Sequence, residues 1–292
     1  MRATESAPPA PADRYVEANG LRLHVRDWGG EGQPVVLLHG LASNARIWDF
    51  VAPLLSTSGG RVIALDQRGH GASDRPETGY GFHEVTADLI GVVDALGLGA
   101  PVVVGHSWGA NVAITFAASA PGAAKGLALV DGGTWDLSAS MTWEEAEKAM
   151  APPRIKGTPR TRLLQLIQKG DLADLWSPEL EAVFMAQFDV APDDTIAPVL
   201  TFERHMMIVQ AIYDYHPAEL LPRIACPVLM LPTIRESAPD WADRKRAGIA
   251  RAEGLLPRAR TVWLEDSIHD VPLQRPALLA EILAAFVGEL TR

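Results

Sequence analysis

Val102-Val103-Val104-Gly105-His106-Ser107-Trp108-Gly109-Ala110 is the stretch that decides how this chain is read. Its valines lack polar alternation, which suits a strand buried on both faces, as in a parallel sheet. Gly109 to Ala120 is small and apolar nearly all round, so a buried helix is expected to follow at once. Ser107 then stands on a sharp strand-to-helix turn. The residue at such an apex has a strained backbone, and only small neighbours avoid clashes with it. Gly105 and Gly109 supply that room. The helix aims its positive end at the serine, which favours negative charge developing there. Gly-x-Ser-x-Gly alone is moderately specific. Between a buried strand and a helix it marks Ser107 as a nucleophile.

The same buried-strand signature recurs at Pro34 to Leu38, Arg61 to Leu65, Gly126 to Val130 and Pro227 to Leu231, with a last strand at Thr261 to Leu264. Tyr15 to Ala18 and Leu21 to Asp27 flank Asn19-Gly20, a hairpin turn signal. Helical spacing appears at Ala45 to Leu55, Phe82 to Leu96, Trp241 to Leu256 and Pro276 to Leu290. Strands alternating with helices argue for a parallel sheet with right-handed crossovers. Residues 134–222 break the rhythm. They carry helical stretches (Thr142 to Met150, Arg160 to Lys169, Pro178 to Phe188, Pro198 to Tyr213) and no buried-strand run. They read as a helical lid inserted over one end of a core made of 14–133 and 223–292. Residues 1–13, rich in Ala and Pro, read as a mobile tail.

Composition narrows the partners. The 292 residues carry a net charge of -10, which argues against nucleic acid and anionic membranes. No apolar h-region opens the chain and no run is long enough for a membrane span, so the cytoplasm is the expected compartment. The single cysteine, Cys226, forms no internal disulfide and fits no metal pattern.

A serine hydroxyl needs a base at neutral pH. Among the eight histidines, His269 lies in a loop after the last strand, at the sheet end where catalytic groups gather. His205 and His216 fall in the lid, and strand alternation turns His106 away from Ser107. His269 is therefore the expected base. The turn at His39-Gly40-Leu41-Ala42 follows a buried strand and offers a backbone N–H, that of Leu41, to an oxyanion hole. The N–H of Trp108 is the second donor.

With Leu38-His39-Gly40, Asp66-Gln67-Arg68-Gly69-His70-Gly71, Gly105-His106-Ser107-Trp108-Gly109 and Ile268-His269-Asp270 in place, the chain resembles the α/β-hydrolase superfamily in its lid-bearing branch. The resemblance spans nearly the whole chain from Tyr15 onward, outside the lid. It implies a mostly parallel eight-stranded sheet flanked by helices, a triad in the order Ser, acid, His, and no cofactor. It also makes the Asp66 to Asp74 loop structural rather than a metal site. In similar enzymes the acid follows the strand before the last one. Glu236 stands there, in Leu231-Pro232-Thr233-Ile234-Arg235-Glu236. A minority place it one strand earlier, where this chain has Asp131 before Gly132-Gly133. Asp131 is preferred, Glu236 is the alternative, and Asp240 stands behind them.

The elbow also resembles that of epoxide hydrolases and haloalkane dehalogenases, whose nucleophile is Asp. Serine in its place points to acyl chemistry. The expected function is a serine hydrolase cleaving carboxylic esters or related acyl bonds of a small molecule. Lactone, amide or carbon–carbon bond hydrolysis, and a slow-turnover ligand sensor, remain as alternatives. His39, Trp143 and His205 are the expected substrate contacts, with Trp135, Phe184, Phe202 and Met206 as apolar lining.

Overall fold

A computed structural model describes residues 9–235 and 239–292. Among the described residues eight strands form one sheet: β1 (Ala12–Ala18), β2 (Leu21–Asp27), β3 (Pro34–Leu38), β4 (Arg61–Leu65), β5 (Val102–His106), β6 (Gly126–Val130), β7 (Val228–Leu231) and β8 (Ala259–Thr261). Their order is β1-β2-β4-β3-β5-β6-β7-β8. β2 is antiparallel to both β1 and β4, and the remaining pairs are parallel.

The unbroken apolar runs have a simple cause. Val36, Leu38, Ile63, Leu65, Val103, Leu127 and Leu129 face one core. Helices α1 (Phe82–Ala95) and α2 (Trp108–Ser119) cover it. The alternate residues Val35, Leu37, Val62, Ala64, Val104, Ala128 and Val130 face a second core with Trp48, Leu279 and Phe286. Both sides of the pleat are therefore apolar, and fully burying each such side chain stabilises by roughly 1.5–3 kcal/mol.

Between β6 and β7 lie helices α3 (Trp143–Met150), α4 (Arg160–Ile167), α5 (Pro178–Met185) and α6 (Phe202–Tyr213). They are accompanied by a small antiparallel sheet of Thr158–Pro159, Thr195–Pro198 and Phe188–Val190, which an all-helical reading of this segment missed. The signal was the turn Ala191-Pro192-Asp193-Asp194. Asp194 takes a φ of 61°, and Asp193 accepts from the Thr195 amide at 3.2 Å and hydroxyl at 2.7 Å. The chain closes with α7 (Pro239–Leu255) and α8 (Pro276–Leu290). No helix among the described residues is long and apolar enough to cross a membrane.

Several boundaries differ from the sequence reading. β1 begins at Ala12, inside the expected tail, because Asp13 accepts from the Arg26 guanidinium at 2.8 Å. Residues 1–8 lie outside the described residues. The helix expected over Ala45 to Leu55 is a tight turn, Ala45–Trp48, and a separate short helix, Ala52–Ser56. Pro53 lacks the N–H that would continue one helix through Asp49. The last strand is split. Ala259–Thr261 joins the sheet, whereas Leu264–Glu265 pairs with Thr233–Ile234, because Pro232 interrupts the ladder.

Arg68, on the loop after β4, meets Asp88 of α1 through two bonds of 2.6 and 2.5 Å. The side chains are 6% and 2% exposed. Removing one partner strands a buried charge. Asp88→Ala is expected to lower unfolding free energy by about 3–5 kcal/mol in guanidinium titrations.

Candidate active site

Parallel register brings the carboxyl ends of β5, β6 and β7 level. His106 lies opposite Val130, and Val130 opposite Leu231. The ladder runs one residue further: the Ser107 amide donates to Val130 O at 2.9 Å and the Asp131 amide to Leu231 O at 3.1 Å. Ser107 and Asp131 are thus neighbours at adjacent strand ends. Both take the left-handed conformation, with φ of 54° and 48°. Non-glycine residues held there cost about 1–3 kcal/mol each and need their surroundings to hold them.

Glycines make that possible at the serine. A Cβ on Gly105 would sit 2.2 Å from Gly109 O, and one on Gly132 would sit 2.2 Å from Ser107 O. A Cβ on Gly40 would come within 2.9 Å of the Ser107 Cβ, which brings the His39–Ala42 turn directly against the serine. No acceptor among the described residues engages the N–H of Leu41 or of Trp108.

His269 Nδ1 lies 2.7 Å from Asp131 Oδ2. The imidazole therefore donates from Nδ1 and keeps Nε2 as an acceptor, and no hydrogen bond among the described residues occupies Nε2 or the Ser107 hydroxyl. Desolvation pulls the His269 pKa down, but the hydrogen bond and charge of Asp131 outweigh it, and the net displacement is upward. Burial pushes Asp131 upward, but the His269 hydrogen bond and charge, with the Lys245 ammonium, hold it far below the usual carboxylate range.

Two groups that the sequence reading missed complete the arrangement. Lys245 Nζ on α7 is 2.6 Å from Asp131 Oδ1 and 2.8 Å from Thr233 O, and the Thr233 amide donates to the same Oδ1 at 2.9 Å. A lysine on an otherwise ordinary helix carries no local signal of this contact. His106 was expected to turn away. It does alternate to the face of Trp48, but the loop carrying His269 crosses that face. Its Nε2 donates to His269 O at 2.8 Å, and burial pushes its pKa down to about 4.

The other expected contacts divide, some lining the cavity described below and some not. His39 is 0% exposed; Nδ1 donates to Gly40 O at 2.8 Å, and Nε2 accepts from the Gln67 amide at 3.0 Å. Burial pushes its pKa down, and both ring nitrogens are engaged by backbone groups around the His39–Ala42 turn. His70 acts alike. It accepts from the Ala42 amide at 3.3 Å, and burial pushes its pKa to about 3. Asp66 is saturated by His24 and by the amides of Ala45 and Ala72. Trp143 packs edge-on to Tyr213 and Phe184 stacks on Trp176, so neither lines the cavity described below. His205 does line it, donating from Nε2 to Met150 O at 2.9 Å. Glu236 lies outside the described residues, and Asp240 falls in α7.

A cavity of about 560 Å³ opens beside the His39–Ala42 turn, bounded by Ala42, His70 and Gly71 on the core side. Residues 152–156, 187–189 and 197–205 form the opposite wall. A smaller one, about 330 Å³, lies at Asp131, Lys245 and His269.

Lys245 lowers the pKa of both Asp131 and His269. Lys245→Met should therefore move the His269 titration to higher pH, read from its imidazole carbon-bound proton by NMR. A downward move would contradict the arrangement.

Residues 33–162 match the family model described as the alpha/beta hydrolase fold. An N-formylmaleamate deformylase of Pseudomonas putida is 39% identical over 275 residues, 88% of this chain and 89% of that protein. Epoxide hydrolase A of Mycobacterium tuberculosis is 47% identical over 106 residues, 35% of this chain, and the match spans only 33% of that protein. The crystal structure of an E-2-(acetamidomethylene)succinate hydrolase superposes with a TM-score of 0.76 at 21% identity, covering 95% of this chain and 99% of that one. With the sheet order, the strained serine elbow and a relative matched over 89% of its length in agreement, the chain belongs to the α/β-hydrolase fold family.

Proposed function

We propose that the protein is a serine hydrolase that cleaves carboxylic esters or related acyl bonds of a small molecule through Ser107, His269 and Asp131. The observation that carries this reading is the 2.7 Å contact of His269 Nδ1 with Asp131, beside a serine at the strand-to-helix elbow. His269 Nε2 takes the Ser107 proton as Oγ attacks the carbonyl carbon. The carbonyl π pair moves to oxygen, which the Leu41 and Trp108 amides and the N-terminus of α2 stabilise. The tetrahedral species collapses, and His269 returns the proton to the leaving group. Water, deprotonated by His269, then releases the acid from Ser107. Asp131 stays ionised throughout, orients the imidazole and stabilises its cation. The segment between β6 and β7 acts as a lid that shapes the pocket.

The epoxide hydrolase match is local, and displacement at an alkyl carbon needs a carboxylate where this chain has Ser107. A second reading within acyl chemistry is hydrolysis of an N-formyl or other amide bond. It is favoured by the deformylase, which matches across 89% of its length.

A fluorophosphonate should form an adduct on Ser107, seen by peptide mass spectrometry and lost in Ser107→Ala; no adduct there sinks the proposal. Fast turnover of p-nitrophenyl esters supports an enzyme, and binding with negligible turnover supports a sensor. Because protonated His269 accepts no proton, kcat/KM should fall as pH drops through a midpoint above the ordinary histidine value of about 6.5. Asp131→Asn should lower kcat about 10⁴-fold with folding intact and move that midpoint down.

A further inference from the structure

We propose that the cavity beside the oxyanion turn binds a carboxylate, so that the acyl substrate carries an anionic group at its far end. The inference rests on the acyl-hydrolase reading and adds the substrate class. The cavity wall contains Arg75, Arg154, Lys156 and Arg204 against Asp189 and Glu203, in a chain whose net charge is -10.

These cations are not equivalent. Arg75 is spent on Asp189 in a bidentate pair of 2.5 and 3.1 Å, which joins the core to the opposite wall. Arg204 is only 11% exposed and shares one nitrogen, Nη2, with Glu77 at 2.7 Å. Its Nε–H is buried and has no acceptor among the described residues. A buried guanidinium donor left unpaired is costly, and an incoming carboxylate removes that cost. Arg154 sits over the Phe202 ring, its Cζ 3.9 Å from the centroid, and forms no ion pair among the described residues. A guanidinium over an aromatic face keeps N–H groups for a planar anion.

Arg154 and Arg204 reach the cavity from separate segments. Phe202 and Arg204 lie in the first turn of α6, whose positive end adds to the same field. Burial keeps the wall histidines His70 and His205 neutral, so the arginines set the sign. Apolar Ile155, Phe188 and Val199 line the remaining space, as a short carbon chain between two polar ends requires. The cavity lining begins at Ala42, next to Leu41 in the turn that abuts Ser107, so a carbonyl at Ser107 would direct the carboxylate past Ala42 toward Arg204.

The test compares 4-nitrophenyl hemiglutarate with neutral 4-nitrophenyl valerate, after subtraction of spontaneous hydrolysis. The wild type should favour the anionic ester in kcat/KM on the order of tenfold or more, mainly through KM. Arg204→Met should bring that ratio close to one, and Arg154→Gln, at an exposed position, should reduce it. In a second arm, calorimetry on Ser107→Ala should show salt-sensitive binding of glutarate, no binding of glutaramide, and loss of glutarate binding on adding Arg204→Met. Equal rates for the two esters, a preference that survives both arginine changes, or equal binding of glutarate and glutaramide would each overturn the proposal. Glutarate binding to Ser107→Ala without hydrolysis of either ester by the wild type would instead overturn the hydrolase reading and leave the carboxylate site standing.

Discussion

The Ser107 amide donates to the Val130 carbonyl at 2.9 Å, and the arrangement at this end of the sheet depends on that bond. It extends the β5–β6 ladder past the last residue of β5, so the serine and Asp131 leave adjacent strands at the same height. Neighbouring strands stand only about 4.8 Å apart. Two left-handed residues at that spacing need small groups between them. Gly132 meets this need: its α-carbon lies so close to Ser107 that any side chain would overlap the Ser107 carbonyl. The glycines of the elbow and of the turn after β6 therefore serve one contact.

Electrostatics then separate one histidine from its neighbours. His39, His70 and His106 are buried, and burial holds each below the ordinary histidine pKa. Neutral imidazole has one donor and one acceptor nitrogen. His39 and His70 use both on backbone groups and fix the His39–Ala42 turn. His106 uses one to hold the backbone of His269. His269 alone of these faces a carboxylate, and Lys245 keeps that carboxylate ionised and stationary. A proton accepted at His269 is stabilised there and opposed at its neighbours.

How much of this was legible follows from how local each feature is. The strands were readable because burial on both faces leaves an unbroken apolar run, and the Ser107 elbow because its glycines are adjacent in sequence. The small sheet around Thr195–Pro198 was not, since its strands are short and half exposed. The acid was narrowed to Asp131 or Glu236 because both follow a strand end. Only the fold brings residues 131 and 269 within 2.7 Å of each other. Lys245 and His106 escaped for the same reason: their partners are 114 and 163 residues away.

Reaction class and substrate choice are separable in this architecture. Serine or aspartate at the elbow changes which atom is attacked, yet either rests on the same glycines and the same ladder. The far wall of the cavity comes from the segment between β6 and β7. Polar contacts from that segment to the core include Arg75 with Asp189, Arg204 with Glu77, Arg235 with Asp171, and the Asn44 amide with Val183 O at 3.0 Å, while Leu180, Val183, Leu200 and Ile208 pack into the two cores. Exposed ion pairs contribute only about 0–1 kcal/mol each. The buried apolar anchors therefore hold the segment to the sheet more than these pairs do. The fold thus fixes where the elbow residue stands, and the identity of that residue and the lining of the cavity decide the rest.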